Sequence, residues 1–185
     1  MSGKPHVCPF WLIRTFDNAL RRLVHRPEEV LAGLALPGEH GADLGCGIGY
    51  FTIPLARQVG PGGSVTAVDL QEPMLAGVLD RARKAGVQDR VRLLRSEGPL
   101  PAFDRPLDFA LAFWMLHEVP GPDAFLRGLR DALRPGGRLL VVEPRMHVAG
   151  MEFDTAVSRA VAAGFREQAR PQIRLSRAVL FQREG

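Results

Sequence analysis

The chain has 185 residues, 46% hydrophobic and 24% charged, with a formal net charge of +4 and a pI near 9.8. That length suits one domain with a core of its own. No apolar run nears the roughly 20 residues of a membrane span, and the opening "CPFWLI" is too short for a secretion signal, so a cytoplasmic protein is expected.

Cysteine and charge narrow the reading further. Cys8 and Cys46 are the only cysteines, and no structural disulfide is expected. The basic balance rests on arginine, since Lys4 and Lys84 are the only lysines. The arginines are scattered among acidic neighbours, as in "DRARKAGVQDR", and lack the clustering of a nucleic-acid footprint.

In chain order, residues 10–25 place Trp11, Ile13, Phe16, Leu20, Leu23 and Val24 at helical spacing. A second, short helix is expected from Pro27 to just before "LPGEHG". Residues 1–36 then form a helical N-terminal segment, and the domain proper runs from 37 to 185. "GADLGC" reads as a strand, 50–59 as a helix, "SVTAVDL" as a strand and 72–85 as a helix. "RVRLLRS" and "LDFALAFWML" are further strands, followed by a helix through "DAFLRGLRDAL" that stops at "RPGG". "RLLVVEP" is a strand and 151–163 a helix, and "REQARPQI" and "SRAVLFQ" read as a closing antiparallel pair. Such alternation predicts a mostly parallel sheet covered on both faces.

The stretch "GADLGCGIGYFT" carries the first chemistry. Gly45, Gly47 and Gly49 stand at alternate positions behind Asp43 and ahead of a helix. Glycine there permits positive φ and close approach of a ligand to the main chain; a sharp strand-to-helix connection alone is the other reading. In open α/β sheets, ligands bind at the carboxyl ends of the strands beside the first one. The dinucleotide pattern G-x-G-x-x-G would need glycine at position 50, which is Tyr50. Asp69, ending the second strand, suits a pair of ribose hydroxyls, and Glu97 after the third suits an adenine amino group. No lysine or arginine immediately follows the glycines, so an adenosyl group without phosphates fits better than a pyrophosphate.

"ADLGCGIG", "VTAVDLQEPML", "RVRLLRSEG", "FALAFWMLHEVPG" and "LRPGGRLLVVEP" together resemble the successive motifs of class I S-adenosylmethionine-dependent methyltransferases. The similarity is greatest to the small ubiquinone/menaquinone-type subgroup, and it covers residues 40–144. It implies a Rossmann-like three-layer sandwich whose seven-stranded, mostly parallel sheet has a reversed last strand. It implies S-adenosylmethionine as cofactor, no metal, and Asp43, Gly45, Cys46, Gly47, Gly49, Asp69, Leu70, Met74, Glu97 and Gly98 as the cofactor site. Glu97 departs from the aspartate of many relatives by one methylene.

The acceptor side is read from the loops after the fourth and fifth strands. The [Asn/Asp/Ser]-Pro-Pro-aromatic segment of amine methyltransferases acting on adenine, cytosine or glutamine is absent. His117 stands there instead, either as a general base or as a turn-capping residue. Trp114, Glu118, Glu143, Arg145 and His147 are expected around the same mouth, with Cys8, Phe10 and Trp11 of the N-terminal segment as its roof. The expectation is methyl transfer to a small molecule (a thiol, phenol, quinol or similar) by a monomer or homodimer. A non-catalytic S-adenosylmethionine-binding regulatory module and an RNA methyltransferase are the alternatives.

Overall fold

A computed structural model describes residues 24–96 and 100–185. The expectations for Cys8, Phe10, Trp11, Glu97 and Gly98 therefore lie outside the described residues. A short helix α1 (Pro27–Val30) leads into β1 (His40–Leu44), α2 (Thr52–Val59), β2 (Ser64–Asp69), α3 (Glu72–Lys84) and β3 (Val91–Arg95). The chain continues through β4 (Leu107–Phe113), α4 (Pro122–Ala132), β5 (Leu133–Pro144), α5 (Gly150–Ala162), β6 (Phe165–Ala169) and β7 (Ser176–Arg183).

The seven strands form one sheet in the order β3-β2-β1-β4-β5-β7-β6. Pairings from β3 across to β5 are parallel, while β7 runs antiparallel to both β5 and β6. The reversed last strand is present as expected. Because β1 lies between β2 and β4, the strand order turns at β1, and the crevice above the ends of β1 and β4 is where such sheets take ligands.

Alternation along the central strands splits the core in two. Phe109, Leu111 and Phe113 of β4 face α2 and residues 30–35, beside Leu55, Ala56 and Val59. Ala110 and Ala112 face α4 and α5, beside Leu126, Leu129, Phe153 and Val157. Full burial of side chains such as Phe109 and Leu111 contributes about 1.5–3 kcal/mol each. Several boundaries differ from expectation, the start of the fifth strand among them. The fifth strand begins at Leu133, which pairs with Leu107, and a register shift between Leu107 and Phe109 absorbs the "RPGG" segment.

Residues 25–36 run down one face of this sheet. At the top, His25 packs edge-on against Phe113 and Trp114, and the Tyr50 hydroxyl donates to the His25 carbonyl at 2.7 Å. At the foot, Arg138 Nε donates to the Leu34 carbonyl at 2.9 Å while its guanidinium pairs with Glu39.

Candidate active site

The glycine turn begins where β1 ends. Gly45, Gly47 and Gly49 have φ of +64°, +53° and +84°. Cys46 N–H donates to the Val68 carbonyl at 3.0 Å, which ties the turn to β2. Gly47 N–H donates to Asp69 Oδ2 at 2.9 Å, and Gln71 N–H donates to Asp69 Oδ1 at 2.9 Å. These two bonds use two of the carboxylate's roughly four acceptor positions, leaving lone pairs for further donors such as vicinal hydroxyls. Burial pushes the Asp69 carboxyl above its ordinary range, and the Gln71, Gly47 and Leu70 amides pull it back. A desolvated carboxylate of this kind gains from added donors, so the residues fit a ribose.

The three glycines divide the labour. A Cβ on Gly45 would lie 2.8 Å from Met115 Cβ, and one on Gly49 would lie 3.2 Å from Val78 Cγ2 on α3. Close packing therefore already requires both, whatever ligand the turn meets. Asp43 is buried and accepts the Thr52 hydroxyl at 2.5 Å, which anchors the start of α2. Cys46 is buried too, and its thiol is pushed well up by burial and by Asp43 and Asp69, so it is a neutral filler. Met74 is fully buried, and Leu70 is 36% exposed.

The other wall follows β4. Trp114 carries φ of +59°, a left-handed conformation that costs a non-glycine residue of order 1–2 kcal/mol. It is held there by its N–H on the Val142 carbonyl (2.7 Å) and its Nε1–H on Ser176 Oγ (3.0 Å). The reversal carries Met115 against Gly45 and starts a 3-10 turn, Leu116–Glu118.

His117 is fixed by Glu143 at two points. Its N–H donates to Glu143 Oε1 at 3.2 Å, and its Nδ1 lies 2.5 Å from Glu143 Oε2. An ionised Glu143 only accepts, so the partner assigns the proton to Nδ1 and leaves Nε2 as the basic nitrogen. Nε2 is 3.9 Å from Glu118 Oε1. The bond to Glu143 raises the His117 pKa, burial opposes it, and the charges of Glu143, Glu118 and Glu152 add to the rise. Burial also raises Glu118, with His117 opposing and the charges of Glu143 and Asp69 adding.

Several expectations are refined by this geometry. Glu143 is 2% exposed and holds the His117 imidazole. Trp114 is partly buried against His25, Phe113 and Ser176. Arg145 and His147 are exposed beyond β5. The pairing of His117 with Glu143, the strained Trp114 and the role of His25 have no signal in the sequence. Among the described residues there is no His/Cys/Asp/Glu cluster able to hold a metal, and no helix long and apolar enough to cross a membrane.

Comparison with known proteins identifies the family. Residues 42–137 match the family described as "Methyltransferase domain". A demethylmenaquinone methyltransferase of Lactobacillus johnsonii is 33% identical over 107 residues, covering 57% of this chain and 44% of that protein. A ubiquinone/menaquinone biosynthesis C-methyltransferase of Pasteurella multocida is 36% identical over 107 residues, covering 57% and 40%. The matched part thus spans less than half the length of these relatives. A solved SAM-dependent methyltransferase from Aquifex aeolicus superposes with a TM-score of 0.83 at 25% identity, covering 95% of this chain and 99% of its own.

Proposed function

Because the chain belongs to the methyltransferase-domain family, we propose that it transfers a methyl group from S-adenosylmethionine to a small-molecule acceptor whose nucleophilic atom carries a proton, such as a thiol, phenol or quinol. The cofactor, when bound, supplies a sulfonium methyl already activated for displacement. Asp69 accepts the ribose hydroxyls, and the bare backbone at Gly47 lets the cofactor approach. Asp43 and Thr52 keep the turn rigid beneath it. The part of the N-terminal segment ahead of His25 roofs the acceptor.

The His117–Glu143 pair carries the reading. A histidine with Nδ1 on a buried carboxylate and Nε2 beside Glu118, at 3.9 Å, is arranged to take a proton from an acceptor and to bear the resulting charge. A regulatory module that only binds cofactor has no use for a buried carboxylate devoted to one imidazole. The scattered arginines do not favour RNA, since Arg92, Arg134, Arg138 and Arg170 are each engaged with carboxylates.

Calorimetry tests the cofactor half. S-adenosylmethionine and S-adenosylhomocysteine should bind with micromolar affinity, about −8 kcal/mol, and NAD should not. Asp69→Ala should weaken that binding by about 1.5–3 kcal/mol. A screen of thiols, phenols, quinols and amines for S-adenosylhomocysteine release then identifies the acceptor. Binding of NAD in place of S-adenosylmethionine, or an unaffected Asp69→Ala variant, would move the site elsewhere.

A further inference from the structure

Beyond β5 lies a groove of about 250 Å³ lined by Arg145, Phe153, Arg170, Gln172, Ser176 and Arg177, among others. Its charge is unbalanced. Arg170 is neutralised by Glu167 at 2.8 Å and Asp154 at 3.3 Å, which accounts for the one carboxylate of the groove lining. Arg145 and Arg177 have no such partner. Arg145 Nε donates to the Ser176 carbonyl at 2.8 Å, and Arg177 Nη1 donates to the Val148 carbonyl at 2.8 Å. Among the described residues neither guanidinium forms an ion pair, so both keep their full charge beside one cavity.

One wall of the groove reaches the strand that carries Glu143. Arg177 sits opposite Glu143 in the antiparallel β5–β7 register, so the two side chains leave the same face of the sheet. Oppositely charged cross-strand neighbours usually pair. Here Glu143 is taken by His117, and Arg177 is turned to the carbonyls of the β5–α5 connection. Gly150, the first residue of α5, leaves the guanidinium room, since a Cβ there would lie 3.7 Å from Arg177 Nη2. Glu152, two residues on, is near enough for its charge to act on His117. Met146 and Met151, 86% and 85% exposed, flank this region with apolar surface.

We propose that this groove is the acceptor's recognition subsite, in which Arg145 and Arg177 bind an anionic group, a carboxylate or phosphate, carried by an acceptor with an apolar body. The inference rests on the proposed methyl transfer and narrows its substrate class to acidic acceptors. Guanidinium suits either oxyanion because its planar fork donates two parallel hydrogen bonds. Two fixed charges at one end of the mouth also select against uncharged analogues of equal size.

The test uses the full chain without cofactor and three probes: benzoate, benzamide and inorganic phosphate, each titrated while ¹⁵N chemical shifts are followed. Saturable shifts at Ser176, Arg177 and the Arg145 side chain are expected with benzoate or phosphate. The tighter of the two identifies the oxyanion. Benzamide should bind at least tenfold more weakly than benzoate. The double substitution Arg145→Gln with Arg177→Gln should weaken anion binding at least tenfold, Arg145→Lys with Arg177→Lys should retain most of it, and Arg57→Gln, remote on α2, should change nothing. Should neither anion bind, should benzamide match benzoate, or should the double glutamine variant bind as before, the subsite is not there. S-adenosylhomocysteine calorimetry on the same samples tests the cofactor reading separately, so the failure of one is distinguishable from the failure of the other.

Discussion

At the scale of single residues, the site turns on how Glu143 treats His117. A buried carboxylate bonded to Nδ1 raises the imidazole's pKa above its ordinary value of about 6.5. Rate and stability respond to that rise with opposite signs. The neutral, proton-accepting form grows as pH rises through the raised pKa, so kcat/KM for methyl transfer should climb with pH along an inflection above 6.5. Stability has the opposite dependence, because a raised folded pKa contributes most below the unfolded value and is lost as pH climbs through the folded one. Glu143→Gln should shift the rate inflection to lower pH and slow transfer, with S-adenosylhomocysteine affinity unchanged. His117→Ala should slow transfer by about 10²–10⁴-fold for acceptors that must lose a proton. A thiol already ionised at assay pH should hardly notice the loss. An inflection that stays put in Glu143→Gln would reduce Glu143 to a packing role.

At the scale of elements, the β1–α2 turn and the β4 loop are one unit, because Met115 rests where Gly45 lacks a side chain. Gly45→Ala and Gly49→Ala should each cost about 1–3 kcal/mol, from left-handed strain and crowding. Their further effects should part company. The Gly49 contact is with Val78 on α3, away from the mouth, so thermal stability should fall with cofactor affinity nearly kept. The Gly45 contact displaces Met115, two residues from His117, so transfer should fall by more than cofactor affinity does. Melting curves, calorimetry and turnover on both variants decide it, and equal losses of turnover would break the link between the two loops. This division also marks what the sequence could tell. Glycine spacing announces a tight turn, yet whether each missing Cβ makes room for a ligand, a methionine or a valine is set by neighbours far along the chain. The same holds for His117 and Glu143, which are 26 residues apart and meet only because β4 and β5 are adjacent. By contrast, strand and helix order was legible from local periodicity. The closing antiparallel pair was legible from its two short runs, and the family resemblance implied that the last strand is the reversed one.

At the scale of the molecule, the question is what closes the mouth. Residues 25–36 descend the sheet face from the crevice to its foot, with Leu31 and Leu34 buried in the core and His25 wedged on Phe113 and Trp114. His25, near the start of the described residues, thus stands beside the strained Trp114. The turn at Gly47 and the carboxylate of Asp69 hold each other without residues 1–14. Deleting residues 1–14 removes Cys8, Phe10 and Trp11 and leaves that pair intact. Affinity for S-adenosylhomocysteine should fall by no more than about tenfold, ~1.4 kcal/mol. Methyl transfer should fall by orders of magnitude, because an unroofed crevice admits water and loses one wall of the acceptor pocket. Anion binding at Arg145 and Arg177 should survive, since β5, α5 and β7 build that groove. If the shortened chain turns over its acceptor at the full rate, residues 1–14 contribute nothing to the site, and acceptor recognition belongs to the loops after β4 and β5 together with the arginine groove.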